Sequence, residues 1–252
     1  MTNKRHAVLM FMFNQNTEQL QLSKESLESV CKQDIGPLDI FIVNNGSTEP
    51  TRAWLAAIEN NTDSEHWFYV AHYEKNESPV RLSNKFLEMI FATHDKVFCI
   101  ANDVIVPSNA YRLMSQWPRG MVTASETQDR NFTVSEDVHA VSECTPMSLA
   151  LIRKWFYEAL MARDGFYLDP RFVHYTSDCD IALRMASCGI RGVQLDLQFY
   201  HYGSASWRMN PFGAKAITDQ ADRDRTAFEA KWKFKVDAYE YGARAGDINF
   251  KG

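Results

Sequence analysis

Three short, unbroken apolar runs constrain this chain most: Ala7–Phe13 (AVLMFMF), Asp39–Val43 (DIFIV) and Lys96–Ala101 (KVFCIA). None alternates polar with apolar residues, so each reads as a strand covered on both faces, as in a parallel sheet with helices above and below. The segments between them fit such helices. Gln19–Lys32 spaces Leu20, Leu27 and Val30 among polar residues, and Thr51–Asn60 gathers Trp54, Leu55 and Ile58 on one face. Trp67–His72 adds a strand and Leu82–Phe91 a helix. Strand and helix alternate to about residue 115, the pattern of βαβ units, which predicts an α/β fold with a mostly parallel central sheet flanked by helices.

In such sheets ligands bind beyond the carboxyl ends of the strands. Asn14, Asn44, Asn45, Ser47 and Asp103 are therefore expected along one edge. Beyond Met121 the pattern changes. Val122–Ala124 and Val138–Ser142 read as short strands around a polar loop, Glu126–Glu136, and Leu149–Ala162 reads as a helix followed by a loop, Gly165–Tyr175. Ser177–Ser187 is predicted as a helix stopped by Gly189, Gly192–Tyr200 as a strand, and Thr218–Lys235, containing KWKFK, as a solvated amphipathic helix. No internal repeat or linker appears, and one domain is the simplest division.

Composition narrows the function classes. The 252 residues suffice for a buried core, and 45% apolar with 23% charged residues is ordinary for a globular protein. A net charge of −5 argues against broad, charge-driven nucleic-acid binding. No apolar run approaches the roughly 20 residues that span a bilayer, and MTNKRHAVLMFMFNQN reads as a first strand rather than a signal peptide. Cys31, Cys99, Cys144, Cys179 and Cys188 form no CxxC pair and fit reduced thiols in a cytoplasmic protein.

Phe166–Ser206 carries the most chemistry. It sets Asp178 and Asp180 at a helix start and His201 just past the following strand, residue types suited to holding a divalent cation and removing a proton. Each also has a plainer reading. Ser177 and Asp180 make an acidic variant of a capping box, Asp103 suits a turn before Pro107, His201 sits among Phe199, Tyr200 and Tyr202, and Asn44–Ser47 makes a tight turn in any α/β protein.

Five segments in order resemble the family 2 glycosyltransferases, inverting enzymes of GT-A fold. They are AVLMFMFN; FIVNNGSTEPT, similar to the family's V-D-N-G-S-T-D-G-T; RLSNKFLEMI; FCIANDVIVP, similar to the stretch holding the DxD-type metal motif; and GFYLDPRFVHYTSDCDIALRMASCGI with HYGSAS, similar to G-F-D-E-x-F…E-D-x-D-x-x-x-R…G and H-x-G-S-x-S. The resemblance implies a single GT-A domain with a Rossmann-like sheet. Residues 1–115 would form the nucleotide-sugar half and 116–206 the acceptor and catalytic half, with 207–252 a helical extension bearing on acceptor choice. It implies a sugar nucleotide, a UDP-sugar favoured, as donor and a hydroxyl acceptor on a saccharide. Asp178 would be the catalytic base, Asp103 and His201 would hold Mn²⁺ or Mg²⁺, and Asn14, Asn44, Asn45, Ser47, Asn84 and Asn102 would form the donor side. Arg184 matches the family's helix arginine and implies a buried pairing, while Trp207 and Arg208 would lie on the acceptor wall or rim.

The chain departs from the pattern at Asn44, Ala101 and Ser177, where the family carries Asp, an acidic or amide residue, and Glu. Two other readings follow. A basic face of Arg223, Arg225, Lys231, Lys233 and Lys235 would allow glycosylation of a hydroxylated DNA base, and the three departures are those of a non-catalytic sugar-nucleotide binder.

Overall fold

The first apolar run forms β1 (His6–Met12) in the computed structural model, which describes residues 5–142, 148–203 and 214–233. It leads through α1 (Thr17–Cys31), β2 (Leu38–Asn45), α2 (Glu49–Glu59), β3 (Trp67–Tyr73) and α3 (Pro79–Phe91) to β4 (Lys96–Ala101). These four strands are parallel in the order β3-β2-β1-β4. Alternate residues fill opposite layers, as two-sided burial requires. Val8, Met10, Ile40 and Ile42 meet α1 and α2, while Ala7, Leu9, Phe41 and Val43 meet α3. Helix starts carry local signals: Asn16 accepts the Gln19 N–H at α1, and Ser78 accepts the Arg81 N–H before Pro79 at α3. Because β2 and β4 lie on opposite sides of β1, the winding reverses between β1 and β4, which opens a crevice at their carboxyl ends.

The chain continues through β5 (Val104–Ile105), α4 (Ala110–Gln116), β6 (Met121–Thr127), β7 (Ala140–Ser142), β8 (Leu149–Arg153), α5 (Lys154–Asp164), α6 (Ser177–Ser187), β9 (Val193–His201) and α7 (Ala214–Trp232). The sheet order is β3-β2-β1-β4-β8-β6-β9-β5, with β7 on β9. The added strands pair mainly antiparallel, so the sheet is parallel in its first half and mixed as a whole.

Three expectations change. Leu149–Arg153 is a strand, not the start of a helix. LALI is apolar enough to be buried either way, and the site between β4 and β6, with Leu151 opposite both Phe98 and Val122, decides for the sheet. The helix begins only at Lys154 and ends at Gly165, whose φ of 78° closes it left-handed. Glu126 and Thr127 belong to β6 rather than to a loop, because Glu126 pairs with Phe199 of β9. The end of α7 is not solvated. Phe228 is fully buried, and Lys231 and Trp232 fold inward onto α6. Lys231 is thereby withdrawn from any basic face for DNA, while Arg223 bonds Gln220 and Arg225 pairs with Asp222. Lys235 lies outside the described residues.

Candidate active site

The crevice edge is built from amides and hydroxyls. Asn14, one residue past Phe13, is fully buried; its backbone N–H donates to Ser47 Oγ (2.9 Å), and its carbonyl accepts from Thr48 N–H (2.9 Å). Its Oδ1 accepts from Ser23 Oγ (3.0 Å) on α1 and from Asn102 Nδ2 (3.0 Å) just beyond β4, and Asn102 also donates to Ser23 Oγ (2.8 Å). The carboxyl ends of β1, β2 and β4 are thus tied into one unit. Asn44 contributes by closing its own turn: Oδ1 accepts the Ser47 N–H (3.2 Å) and Nδ2 pairs with His72 Nδ1 (2.9 Å). Asn45 binds the 76–77 loop, donating to Asn76 Oδ1 (2.8 Å) and accepting from Glu77 N–H (2.8 Å). Between them Gly46 has φ of 82°, and a Cβ there would stand 2.7 Å from Asn76 N, so only glycine allows the loop this close. Of the donor-side residues predicted from sequence, Asn14, Asn44, Asn45 and Ser47 are buried framework, whereas Asn102 keeps partial exposure.

Beside Asn102, β5 and β9 bring Asp103 to His201. The side chains are 12% and 15% exposed, and His201 Nε2 lies 3.3 Å from Asp103 Oδ1. His201 Nδ1 meets Glu126 Oε2 at 2.9 Å. Burial disfavours the imidazolium, but hydrogen bonds and charge from Asp103 and then Glu126 outweigh it and raise the pKa to about 9. Glu126 carries no signal in the polar run ETQDRN; its place on β6 is what aims it. Both ring nitrogens thus face carboxylates, Nδ1 toward Glu126 and Nε2 toward Asp103, and His201 is a cation in this state. A hard divalent cation taking the place of the Nε2 proton would leave Nδ1 braced by Glu126 and would have Asp103 and His201 as two ligands, with its other oxygens from phosphate and water. Among the described residues no group of three or more His, Cys, Asp and Glu is arranged to hold an ion by itself.

The third cluster starts α6. Asp178 lies half-buried in the first turn, its Oδ1 accepting from Cys179 N–H (2.9 Å). Asp180 is fully buried and takes Arg184 Nε (2.8 Å), Trp232 Nε1 (2.9 Å) and the Lys231 ammonium. Arg184, 2% exposed, also binds Asp164 (2.9 Å) and the Tyr167 carbonyl, which is the buried pairing the resemblance implied. Asp169, 1% exposed, accepts from Arg171 and from Lys231 (2.8 Å). Burial works against its charge, yet these two cations and the Arg171 N–H hold its carboxyl well below the usual range. Asn84 clamps this loop from α3, donating to Leu168 O (2.7 Å) and accepting from Leu168 N–H (2.8 Å), so both ends of its amide are occupied.

The structure thus joins Asn14, Ser47 and Asn102 in one network and Asp103 with His201 in another. No hydrogen bond or ion pair among the described residues links Asp178 to either. The loop ahead of α6 is tied to the start of α3, which follows the carboxyl end of β3, by Ser78 donating to Val173 O (3.0 Å). Trp207 and Arg208 fall outside the described residues, as does the SAS of HYGSAS. Cys31, Cys99 and Cys188 are free thiols. No described helix is long and apolar enough to cross a membrane.

Residues 8–119 match the family model described as glycosyl transferase family 2. No curated protein sequence matches the chain. Among solved structures, S. aureus TarS 1–349 in complex with UDP-GlcNAc superposes with a TM-score of 0.55 at 16% identity, covering 78% of this chain and 58% of that one. S. aureus TarS gives 0.57 at 15% identity over 93% of this chain, which spans 44% of TarS. A mannosyltransferase from Pyrobaculum calidifontis, PcManGT, in complex with GDP-Man and Mn²⁺, gives 0.57 at 16% identity over 98% of this chain and 81% of its own. At such identities the likeness is one of fold.

Proposed function

We propose, from the match of residues 8–119 to the family model described as glycosyl transferase family 2, that this chain moves a sugar from a nucleotide-sugar donor to an acceptor hydroxyl with inversion. The observation that carries the reading is the meeting of Asp103 and His201, braced by Glu126, beside the switch point of the sheet. Asn102 and Asp103 face the donor, while Asn14, Asn44, Asn45 and Ser47 shape the edge from within and Asn84 sets the loop behind it. A divalent cation held by Asp103 and His201 would supply neutralising charge for the departing diphosphate.

The chain's own residues do the rest. Asp178 accepts the acceptor's hydroxyl proton as that oxygen attacks the anomeric carbon. The new C–O bond forms opposite the bond to the diphosphate, which leaves with its electron pair, and configuration inverts. General-base assistance of this kind is worth about 10²–10⁴-fold, so Asp178→Asn is expected to lose that much turnover while keeping donor affinity. UDP-sugars are the first donors to try, with PcManGT's GDP-Man and Mn²⁺ the second, and a saccharide is the favoured acceptor.

A thermal-shift panel of UDP-, GDP-, dTDP- and CDP-sugars with and without Mn²⁺ tests this. One donor stabilising the protein only with Mn²⁺ supports the full reading. A metal-indifferent shift removes Asp103 and His201 from the ligand role. A donor shift with wild-type-like behaviour of Asp178→Asn leaves the non-catalytic binder, which the occupied polar atoms of Asn44 favour.

A further inference from the structure

The turn entering α6 is gripped from a segment 50 residues away. Asp224 of α7 is 1% exposed, and its carboxylate accepts three successive backbone N–H groups: Val173 (3.1 Å), His174 (2.9 Å) and Tyr175 (2.7 Å). Consecutive amides converging on one anion form a nest, here filled by the protein's own carboxylate. Gln220, one turn back on α7, donates to the same carboxylate (2.7 Å) and fixes its rotamer. The next residue, Thr176, has φ of 59°, a conformation unfavourable for a β-branched residue unless its surroundings impose it. Thr176 Oγ1 donates to Tyr175 O (2.7 Å), and the Thr176 carbonyl accepts the Asp180 N–H (2.9 Å), the first bond of α6. Two turns further along α7, Lys231 and Trp232 seize the Asp180 carboxylate. The same helix thus holds the backbone just before Asp178 and the side chain just after it.

We infer that α7 positions the catalytic helix, with Asp224 as the positioning residue that sets where the Asp178 carboxylate points. This rests on Asp178 as base and gives α7 a task other than choosing the acceptor. The charge matters as well as the shape. An asparagine keeps one acceptor oxygen but turns an NH₂ donor toward amides that are donors themselves. The left-handed Thr176 then loses the grip that holds it, and the first turn of α6 is free to swing. Misplacement of a reacting group by about 1 Å costs on the order of 10²-fold in rate.

The test compares Asp224→Asn, Lys231→Met and Asp178→Asn with wild type by amide hydrogen exchange and by steady-state kinetics with the donor found in the thermal-shift panel. Asp224→Asn is expected to speed exchange across residues 173–179 at least tenfold with β1 and β4 unchanged, and to lower kcat about 10- to 100-fold with donor KM within twofold. On the Asp178→Asn background it should cost nothing further, because a misplaced base and a missing base are the same loss. Lys231→Met, which keeps an unbranched side chain but removes the ammonium from Asp180 and from over the Phe172 and Trp232 rings, gives the same pattern more weakly and serves if Asp224→Asn does not fold. Unchanged exchange at 173–179, turnover within twofold of wild type, or an additive loss on Asp178→Asn overturns the inference. Full turnover by Asp178→Asn alone instead overturns the base assignment, and the positioning role with it.

Discussion

The two halves of the molecule hold their chemistry by opposite means. On the crevice edge the ends of β1, β2 and β4 are joined by neutral groups, with Asn14, Ser23, Ser47 and Asn102 sharing hydrogen bonds of 2.8–3.0 Å. Around α6 the fastening is ionic: Asp164, Asp169 and Asp180 against Arg171, Arg184 and Lys231, with Asp169, Asp180 and Arg184 buried, Asp164 and Lys231 partly so and Arg171 exposed. The neutral edge sits where a sugar diphosphate would bring several charges, and fixed dipoles there do not compete with a cation for Asp103. Helix α6 is instead anchored against segments from 20 to more than 50 residues distant, and full charges supply reach and direction. The ionic half should therefore be the more fragile to single changes and to acid.

The sharpest break is Asp180→Ala. It leaves Arg184, 2% exposed, with Asp164 alone as an anion, leaves Lys231 with Asp169, and strands the Trp232 N–H. Removing one partner of a buried pair costs about 3–5 kcal/mol, and urea denaturation should show that loss with an unchanged m-value. A loss under 1 kcal/mol would mean that the network relaxes into water and the contrast between the halves is false.

Acid gives the second test. The Asp169 carboxyl is held below its ordinary value, so it binds fewer protons folded than unfolded. Its contribution is whole above the unfolded pKa, near 3.9, and is lost as pH falls through the folded value. Asp169→Asn should be about 1.5–3 kcal/mol less stable than wild type at pH 7, the worth of charge-assisted hydrogen bonds, and the gap should close progressively below about pH 4. A gap independent of pH would assign the effect to shape rather than charge.

The same contrast governs what was legible in the sequence. AVLMFMF, DIFIV and KVFCIA announce two-sided strands, and SDCDIALRMAS appears as a helix over its full predicted span with Gly189 as its stop. The expected Ser177–Asp180 capping box does not form: left-handed Thr176 takes the cap position without a side-chain cap bond, and the Asp180 carboxylate turns to Arg184, Lys231 and Trp232. LALI failed because a short apolar run fits either element and only its neighbours in the sheet decide. Asp103 and His201 stand out at strand ends. Glu126, Asp224 and Lys231 do not, since an acid in a polar run, or single charges on an amphipathic helix, gain meaning only from partners that the fold delivers. Asn14, Asn44, Asn45 and Ser47 stand at the strand ends where the alternation of elements puts them, while their inward orientation belongs to packing.

That inward orientation makes the smallest prediction the most discriminating. Asn14→Ala removes the acceptor shared by Ser23 and Asn102; Asn102 still donates to Ser23 Oγ (2.8 Å), while the buried Ser23 hydroxyl loses the acceptor of its own proton. Asn14 Nδ2 is buried without a partner, so its loss also removes an existing penalty. The net cost should be about 1 kcal/mol, the same at pH 4 and pH 8 because no member of the cluster titrates. Donor affinity should fall no more than a few-fold, since a fully buried amide cannot touch the nucleotide. Asn102→Ala, by contrast, removes a partly exposed amide next to Asp103 and should weaken the donor more than it weakens the fold. If Asn14→Ala abolishes donor binding while Asn102→Ala spares it, the framework and the contact residues have been assigned the wrong way round.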